Sequence, residues 1–180
     1  MESSCAEASL FTFLAELGIK IQTYRHAPVF TVEEAKSIRV GNRGLLSGGH
    51  AKSLFVRDKK KRRALVMVDE NRRVDLKALA SKIELARLSF GSADSLKSML
   101  GVVPGSVTPF ALINARAPKD TNAPLVVALD KNLMAHPLLF FHPLHNAATT
   151  AITPVDLCVF IKACGYIPLE IDFTNTALSI

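Results

Sequence analysis

Lys52-Ser-Leu-Phe-Val-Arg-Asp-Lys-Lys-Lys-Arg-Arg-Ala-Leu-Val-Met-Val-Asp69 is the stretch on which the fold turns. Ser53 to Arg57 and Ala64 to Asp69 are β-type runs, and Asp58 to Arg63 joins them, which predicts a hairpin. Upstream, Gly41 to Gly49 holds four glycines and reads as a flexible loop. The loop ends a short helix from Val32 to about Ile38. That helix opens on Thr31-Val-Glu-Glu34, a capping box whose hydroxyl and carboxylate satisfy two orphan backbone donors. Before it, Leu10, Phe11, Leu14 and Leu17 recur at helical spacing over Glu7 to Leu17, and Gly18 stops them. Ile19 to Tyr24 then alternates as a strand running to His26.

Downstream of the hairpin, Asp75 to Ile83 and Ala93 to Leu100 read as helices, with Leu88 to Phe90 a strand between them. Val102 to Thr108 carries Pro104 and Gly105 and reads as a loop, which Phe110 to Asn114 leaves as a strand. Leu125 to Leu129 and Leu138 to His142 are short apolar strands, and Ala147 to Ile152 is a β-branched one. Thr153-Pro154 starts a last helix, with proline at its favoured first position, running to Ala163. Strands outnumber helices and lack regular helical crossovers, and GxGxxG, GxxxxGK[ST] and GxSxG are all absent. The expectation is one mixed α/β domain over residues 1–180, a curved, barrel-like mixed sheet surrounded by helices.

Composition bounds the function. Of 180 residues, 49% are apolar and 21% charged, which excludes a disordered chain. Apolar runs such as Leu125 to Leu129 fall far short of the roughly 20 residues a spanning helix needs. The N-terminal stretch, with Glu2 and Glu7 and no basic residue before Lys20, reads as neither secretory signal nor transit peptide. Cys5, Cys158 and Cys164 form no CxxC pair and read as reduced thiols. A soluble cytoplasmic domain with no membrane partner is expected. With 22 basic and 16 acidic residues the net charge is +6, which favours a polyanionic partner.

Four places could carry chemistry. Lys52 leads from the glycine-rich loop into an apolar strand, where its ammonium could bind an anion or carbonyl oxygen, or simply reach solvent. Gly105-Ser-Val-Thr-Pro109 is a turn whose backbone N–H groups could face a carboxyl or ester oxygen; an ordinary turn is the alternative. His142 and Asn146 in Phe141-His-Pro-Leu-His-Asn146 sit beside an apolar strand as site residues or as hydrogen-bonded core groups. Lys59, Lys60, Lys61, Arg62 and Arg63 make a basic hairpin tip, either a solvated turn or a grip on an RNA backbone. His136, His142 and His145 lack an HExxH motif or an acidic partner between Asp130 and Asp156, so neither a metal nor another cofactor is expected.

The ordered set resembles the prolyl-tRNA-editing family, the YbaK/ProX-type aminoacyl-tRNA deacylases. The resemblance rests on His26-Ala-Pro-Val-Phe-Thr-Val-Glu-Glu-Ala35, Lys52-Ser-Leu-Phe-Val56, Val74-Asp-Leu-Lys77 and Arg87-Leu-Ser-Phe90. It continues through Leu100-Gly-Val-Val-Pro-Gly-Ser-Val-Thr-Pro-Phe110, Phe141-His-Pro-Leu-His-Asn146 and Ala148-Thr-Thr150. It extends from about His26 to Asp172, and the chain's length matches the free-standing, alanine-specific branch. One departure is Ser53, where relatives often carry Asn after the lysine.

The resemblance implies hydrolysis of the ester joining a wrong amino acid to tRNA. It implies that Lys52 contacts the 3′-terminal adenosine or its phosphate. Gly105, Ser106, Val107, Thr108 and Pro109 would position the ester and amino group. His142 would line the amino-acid pocket, supported by Asn146, with Phe30 and Thr31 also at the substrate. The partners implied are mischarged tRNA for proline and prolyl-tRNA synthetase, and the apolar content would permit a homodimer. A smaller side chain fits a larger synthetic pocket, and each missing methylene costs only ~1–3 kcal/mol, so a second sieve is needed. The chain shows no nucleophile beside a base, which favours direct water attack over an acyl-enzyme. The alternatives are a non-catalytic tRNA- or synthetase-binding module, a cysteinyl- or seryl-tRNA deacylase of the same fold, or an esterase for small amino-acid esters or thioesters.

Overall fold

A computed structural model describes residues 2–29, 31–41, 47–115 and 125–173. In chain order the elements are α1 (Glu2–Glu16), β1 (Gln22–Arg25), α2 (Val32–Gly41), β2 (Gly49–Arg57) and β3 (Arg63–Asp69). Then come α3 (Leu76–Lys82), β4 (Ser89–Phe90), α4 (Ala93–Leu100) and a 3-10 helix, Pro109–Ala115. The chain closes with β5 (Leu125–Asp130), α5 (Lys131–Met134), β6 (Leu139–Phe141), β7 (Ala148–Ile152), α6 (Pro154–Ala163) and β8 (Pro168–Ile171).

The eight strands form one mixed sheet in the order β1-β7-β6-β2-β3-β5-β8, with β4 paired to β2 off this path. β2 and β3 are the predicted hairpin, in register from Ala51↔Asp69 to Arg57↔Arg63. Their apolar runs are nearly continuous because both faces are covered. Leu65 and Met67 enter one core with Phe55, Val127 and Leu129, packed by Leu10 and Leu14 of α1, Leu96 of α4 and Phe160 of α6. Ala64, Val66 and Val68 enter a second core with Val56, Ala128, Leu79 of α3, Ile171 and Phe173. Period-two alternation thus sorts one strand's side chains between two cores.

Local chemistry explains the helix ends. Thr31 Oγ1 accepts from Glu34 N at 3.1 Å while Thr31 N donates to Glu34 Oε2 at 3.4 Å, the expected capping box. Ser92 caps α4, and Gly101 closes it at φ 67°, where a left-handed residue satisfies the last carbonyls. Thr153 Oγ1 caps α6 through Asp156 N at 3.1 Å.

The expected strand over Phe110 to Asn114 is corrected: these residues form the 3-10 helix. Pro109 cannot donate to a ladder, and Phe110, Ala111 and Leu112 are all fully buried, a pattern alternation cannot produce. Thr108 starts the helix, its carbonyl accepting from Ala111 N at 3.2 Å. Two elements went unread, α5 and β8. α5 has four residues, too few for a periodic signal, and is capped by Asp130 Oδ1 on Asn132 N at 3.0 Å. β8 exists because it pairs in parallel with β5 across a long sequence separation. Of the Gly41 to Gly49 loop, residues 42–46 lie outside the described residues.

Candidate active site

The site lies where two strands part. β2 and β6 run parallel for only two pairs, Gly49↔Leu139 and His50↔Phe140. Beyond them the strands diverge and border an open pocket of about 250 Å³. Its walls are Ala51, Lys52 and Ser53 of β2, Phe140, Phe141 and His142 at and after β6, Gly105 and Val107, Thr31, and Thr149 of β7. The fork begins at a close approach: a Cβ on Gly48 would lie 2.5 Å from the Leu138 carbonyl oxygen. His50 stacks on Phe140 with ring centroids 4.7 Å apart and planes 11° apart, hardening one wall.

Lys52 projects from β2 with its Nζ donating to the Arg72 carbonyl oxygen at 2.5 Å. An ammonium has three donors, so this bond orients the group and leaves two for a ligand. Burial lowers the Lys52 pKa from its ordinary value, opposed by the carboxylates of Asp69 and Glu70. The carbonyl is itself placed by an ion pair, Arg72 Nε to Asp130 Oδ2 at 2.6 Å, and the Arg72 guanidinium lies 5.2 Å from the Phe173 ring centroid.

His142 Nδ1 lies 2.8 Å from the Ala148 carbonyl, so in the neutral ring Nδ1 donates there and Nε2 is the acceptor. Burial pushes the His142 pKa below its ordinary 6.5; the Ala148 bond opposes that shift, and His26 and His145 reinforce it. A neutral His142 therefore lines the pocket. His26 is fixed nearby by Ala27 O and Thr149 Oγ1, both at 2.8 Å. The Asn146 side chain bonds elsewhere than to His142: its Nδ2 donates to the Val29 carbonyl at 2.8 Å and ties down the segment leading to Thr31. Thr31 reaches the pocket, though its hydroxyl serves the α2 cap. Phe30 lies outside the described residues.

The 105–109 loop divides in two. Gly105, at φ 87°, and Val107 face the pocket. Ser106 is buried and its N–H is committed to the Val103 carbonyl at 3.0 Å, while Thr108 and Pro109 are buried in the interior. Phe110 packs edge-on against Phe141 at 6.1 Å and Phe160 at 5.5 Å, which fastens the loop to the strand before His142.

Residues 26–160 match the sequence model of the family described as the aminoacyl-tRNA editing domain, and this span contains the whole pocket. The chain belongs to the aminoacyl-tRNA editing domain family. It is 36% identical over 161 residues to the prolyl-tRNA editing protein ProX of Acetoanaerobium sticklandii, covering 89% of this chain and 93% of that one. It is also 36% identical over 169 residues to the prolyl-tRNA synthetase associated domain-containing protein 1 of Xenopus laevis, covering 91% and 95%. Among solved structures it resembles one described as a candidate trans-editing enzyme for prolyl tRNA synthetase. There the TM-score is 0.66 at 18% identity, covering 94% of this chain and 96% of that one, a likeness of fold.

The basic hairpin of this editing domain stands apart from the pocket. Asp58 lies five residue steps along the strand from Ser53, roughly 17 Å at strand rise. Arg62 is drawn inward by Asp58, with Nη2 to Oδ2 at 2.8 Å, and Arg63 Nε donates to Ser95 Oγ at 3.3 Å. Burial alone would raise the Asp58 pKa, but its bonds to Arg62 and Ala86 outweigh that and hold the carboxyl below its ordinary range. Lys59, Lys60 and Lys61 remain exposed.

Sequence reading missed Ala51, His50, Phe140 and Thr149 as pocket residues. His50, Ala51 and Phe140 adjoin motifs it did single out and Thr149 lies inside one, so adjacency was the available signal. It also missed Glu7, which is buried and binds Arg25 at 2.7 and 2.8 Å and His145 Nε2 at 3.1 Å. That cluster anchors α1 to the segment carrying His142, and no local pattern announces it.

Proposed function

We propose that this chain is a trans-acting hydrolase that deacylates mischarged tRNA, with alanyl-tRNA for proline as its substrate. The observation that carries the reading is a small pocket, within the family-matched span, walled by Lys52, His142 and the Gly105 turn. At about 250 Å³ it has room for an aminoacyl group at the end of a tRNA. The names of the relatives point to prolyl-tRNA, and the +6 charge suits a polyanion.

In the reaction a water oxygen bonds to the ester carbonyl carbon, and the bond from that carbon to the ribose oxygen breaks. One of the water's protons goes to the ribose oxygen and the other to solvent as the new carboxyl ionises; the products are free amino acid, as its carboxylate, and tRNA with its terminal hydroxyl restored. An aminoacyl ester is already activated, so positioning and oxyanion stabilisation suffice. Lys52 holds the 3′ end through its remaining N–H donors, and the terminal ribose hydroxyl assists the water. His142 and the Gly105 turn bound the side-chain space.

The test is single-turnover deacylation of tRNA for proline charged separately with alanine, cysteine, serine and proline. Rapid loss of alanine alone is the expected result. Loss of cysteine or serine instead would reassign the substrate. Binding of all four without hydrolysis would leave a binding module.

A further inference from the structure

Among the described residues, the divergence of β2 from β6 leaves part of a strand edge unpaired, and its polarity can be worked out from three backbone bonds. Glu70 N donates to His50 O at 2.9 Å, and Asp58 N donates to Arg62 O at 2.9 Å. In an antiparallel ladder alternate residues direct both their N–H and C=O at the partner strand. Residues 50, 52, 54, 56 and 58 therefore face β3, and 51, 53, 55 and 57 face the other way. Gly91 N donating to Phe55 O at 2.9 Å agrees. On that outward side β6 pairs with Gly49 and His50, and β4 pairs with Val56 and Arg57.

Ser53 is left between them. Among the described residues no other strand pairs with it on that side, no loop hydrogen bond engages it, and it lines the pocket. A buried or half-buried backbone donor and acceptor need partners, and here a ligand can supply them.

We infer that the Ser53 main chain is the docking site for the aminoacyl group, which binds as a one-residue antiparallel strand. An α-amino acid ester carries an ammonium donor and a carbonyl acceptor on one α-carbon, the same pair that one strand residue presents. Set opposite Ser53 in the doubly hydrogen-bonded geometry, its carbonyl oxygen accepts from Ser53 N–H and its ammonium donates to Ser53 C=O. The N–H then also faces the oxygen that becomes the oxyanion. Directly opposed residues share a face, so the substrate side chain lies on the Ser53 side of the sheet, the side of Ala51, Val107 and Phe141. This recognises any α-aminoacyl ester through its backbone and leaves size selection to that face. The inference rests on the editing reading and specifies how that site takes its substrate.

The test uses ¹⁵N-labelled wild-type protein and 3′-deoxy-3′-(L-alanylamino)adenosine, whose amide resists hydrolysis. On binding, the Ser53 amide proton shifts downfield and its exchange slows at least ~10-fold, while Lys52 and Leu54, already bonded to β3, hold their rates. Ser53→Pro deletes the outward N–H and spares the β3 ladder. Deacylation by that variant drops about 10²–10³-fold with the far-UV circular dichroism retained. If it fails to fold, amide exchange in the wild type decides alone. Analogue binding that shifts Gly105 and Val107 while Ser53 exchange stays constant overturns the inference and leaves the editing reading standing. Wild-type protein that hydrolyses no aminoacyl-tRNA removes the editing reading and this inference together.

Discussion

Arg72 and Asp130 meet at 2.6 Å, and the Asp130 carboxylate is fully buried. The same carboxylate accepts from Asn132 N at 3.0 Å and Asp69 N at 3.4 Å, so one side chain joins the end of β3, the start of α5 and the turn that holds Lys52. Removing it strands the Arg72 guanidinium and frees the carbonyl that orients the lysine. Asp130→Ala is expected to cost about 3–5 kcal/mol, read from urea unfolding. A loss below about 1 kcal/mol would show that the pair does not organise this turn.

Lys52 separates activity from stability. Its Nζ bonds a single carbonyl, an interaction whose net contribution is about 1 kcal/mol. Lys52→Ala should therefore melt close to wild type yet lose deacylation by about 10²-fold or more. Full deacylation by the variant would remove Lys52 from the site.

Acid should weaken the fold through His142. Its folded pKa is lowered from 6.5, chiefly by burial, so below that pH the unfolded chain binds the proton first. Stability then rises with pH across the window between the lowered pKa and 6.5, and is fully present above it. Urea midpoints measured from pH 7 down to 5 should fall, and His142→Gln should flatten that slope. An equal slope in both proteins would contradict it.

The three exposed lysines of the hairpin contribute charge without structure. Replacing Lys59, Lys60 and Lys61 by Ala should change stability by no more than about 0.5 kcal/mol. It should also reduce the salt dependence of tRNA binding by about one unit of slope for each phosphate that is no longer neutralised. An unchanged slope would place the tRNA elsewhere. By contrast Arg62→Ala should lower the melting temperature, because it leaves Asp58 buried beside an empty space.

Gly48 is where space is tightest. A methyl there would sit 2.5 Å from Leu138 O and 2.8 Å from Phe140 Cε2, against the bond from Gly49 N to Leu138 O at 2.8 Å that starts the fork. Gly48→Ala is expected to cost about 1–3 kcal/mol by thermal or urea unfolding and to impair deacylation. Wild-type stability would mean that the Leu138 segment yields.

Much of the architecture was readable because it is written locally. The β2–β3 hairpin, the capping box of α2, the Thr153-Pro154 start of α6, and the helix over Ala93 to Leu100 each follow from adjacent residues satisfying one another. The strand expected over Phe110 to Asn114 failed because its apolar run is buried continuously, with Phe110 against Phe141 of β6 and Phe160 of α6, and continuous burial does not by itself fix the backbone form. Within the site, Lys52, Gly105, Val107, Thr31 and His142 were expected and all line the pocket. Ser106, Thr108 and Asn146 were expected beside them and make structural bonds instead. A motif specifies which residues are neighbours in the chain, and only packing decides which face they show.

From the sequence alone came the mixed α/β class, the order of most elements, the net charge and the identity of the motifs. These follow from short-range physics: periodicity, caps and turn chemistry act within a few residues. The tertiary structure decided that β2 and β6 pair for two residues and then separate, that Arg72 and Asp130 set the Lys52 ammonium, and that the outward backbone edge of Ser53 has no strand partner among the described residues. Each depends on groups tens of residues apart meeting at a fixed distance. Such a meeting is settled by the packing of two cores on opposite faces of one sheet, and no local window of residues contains it.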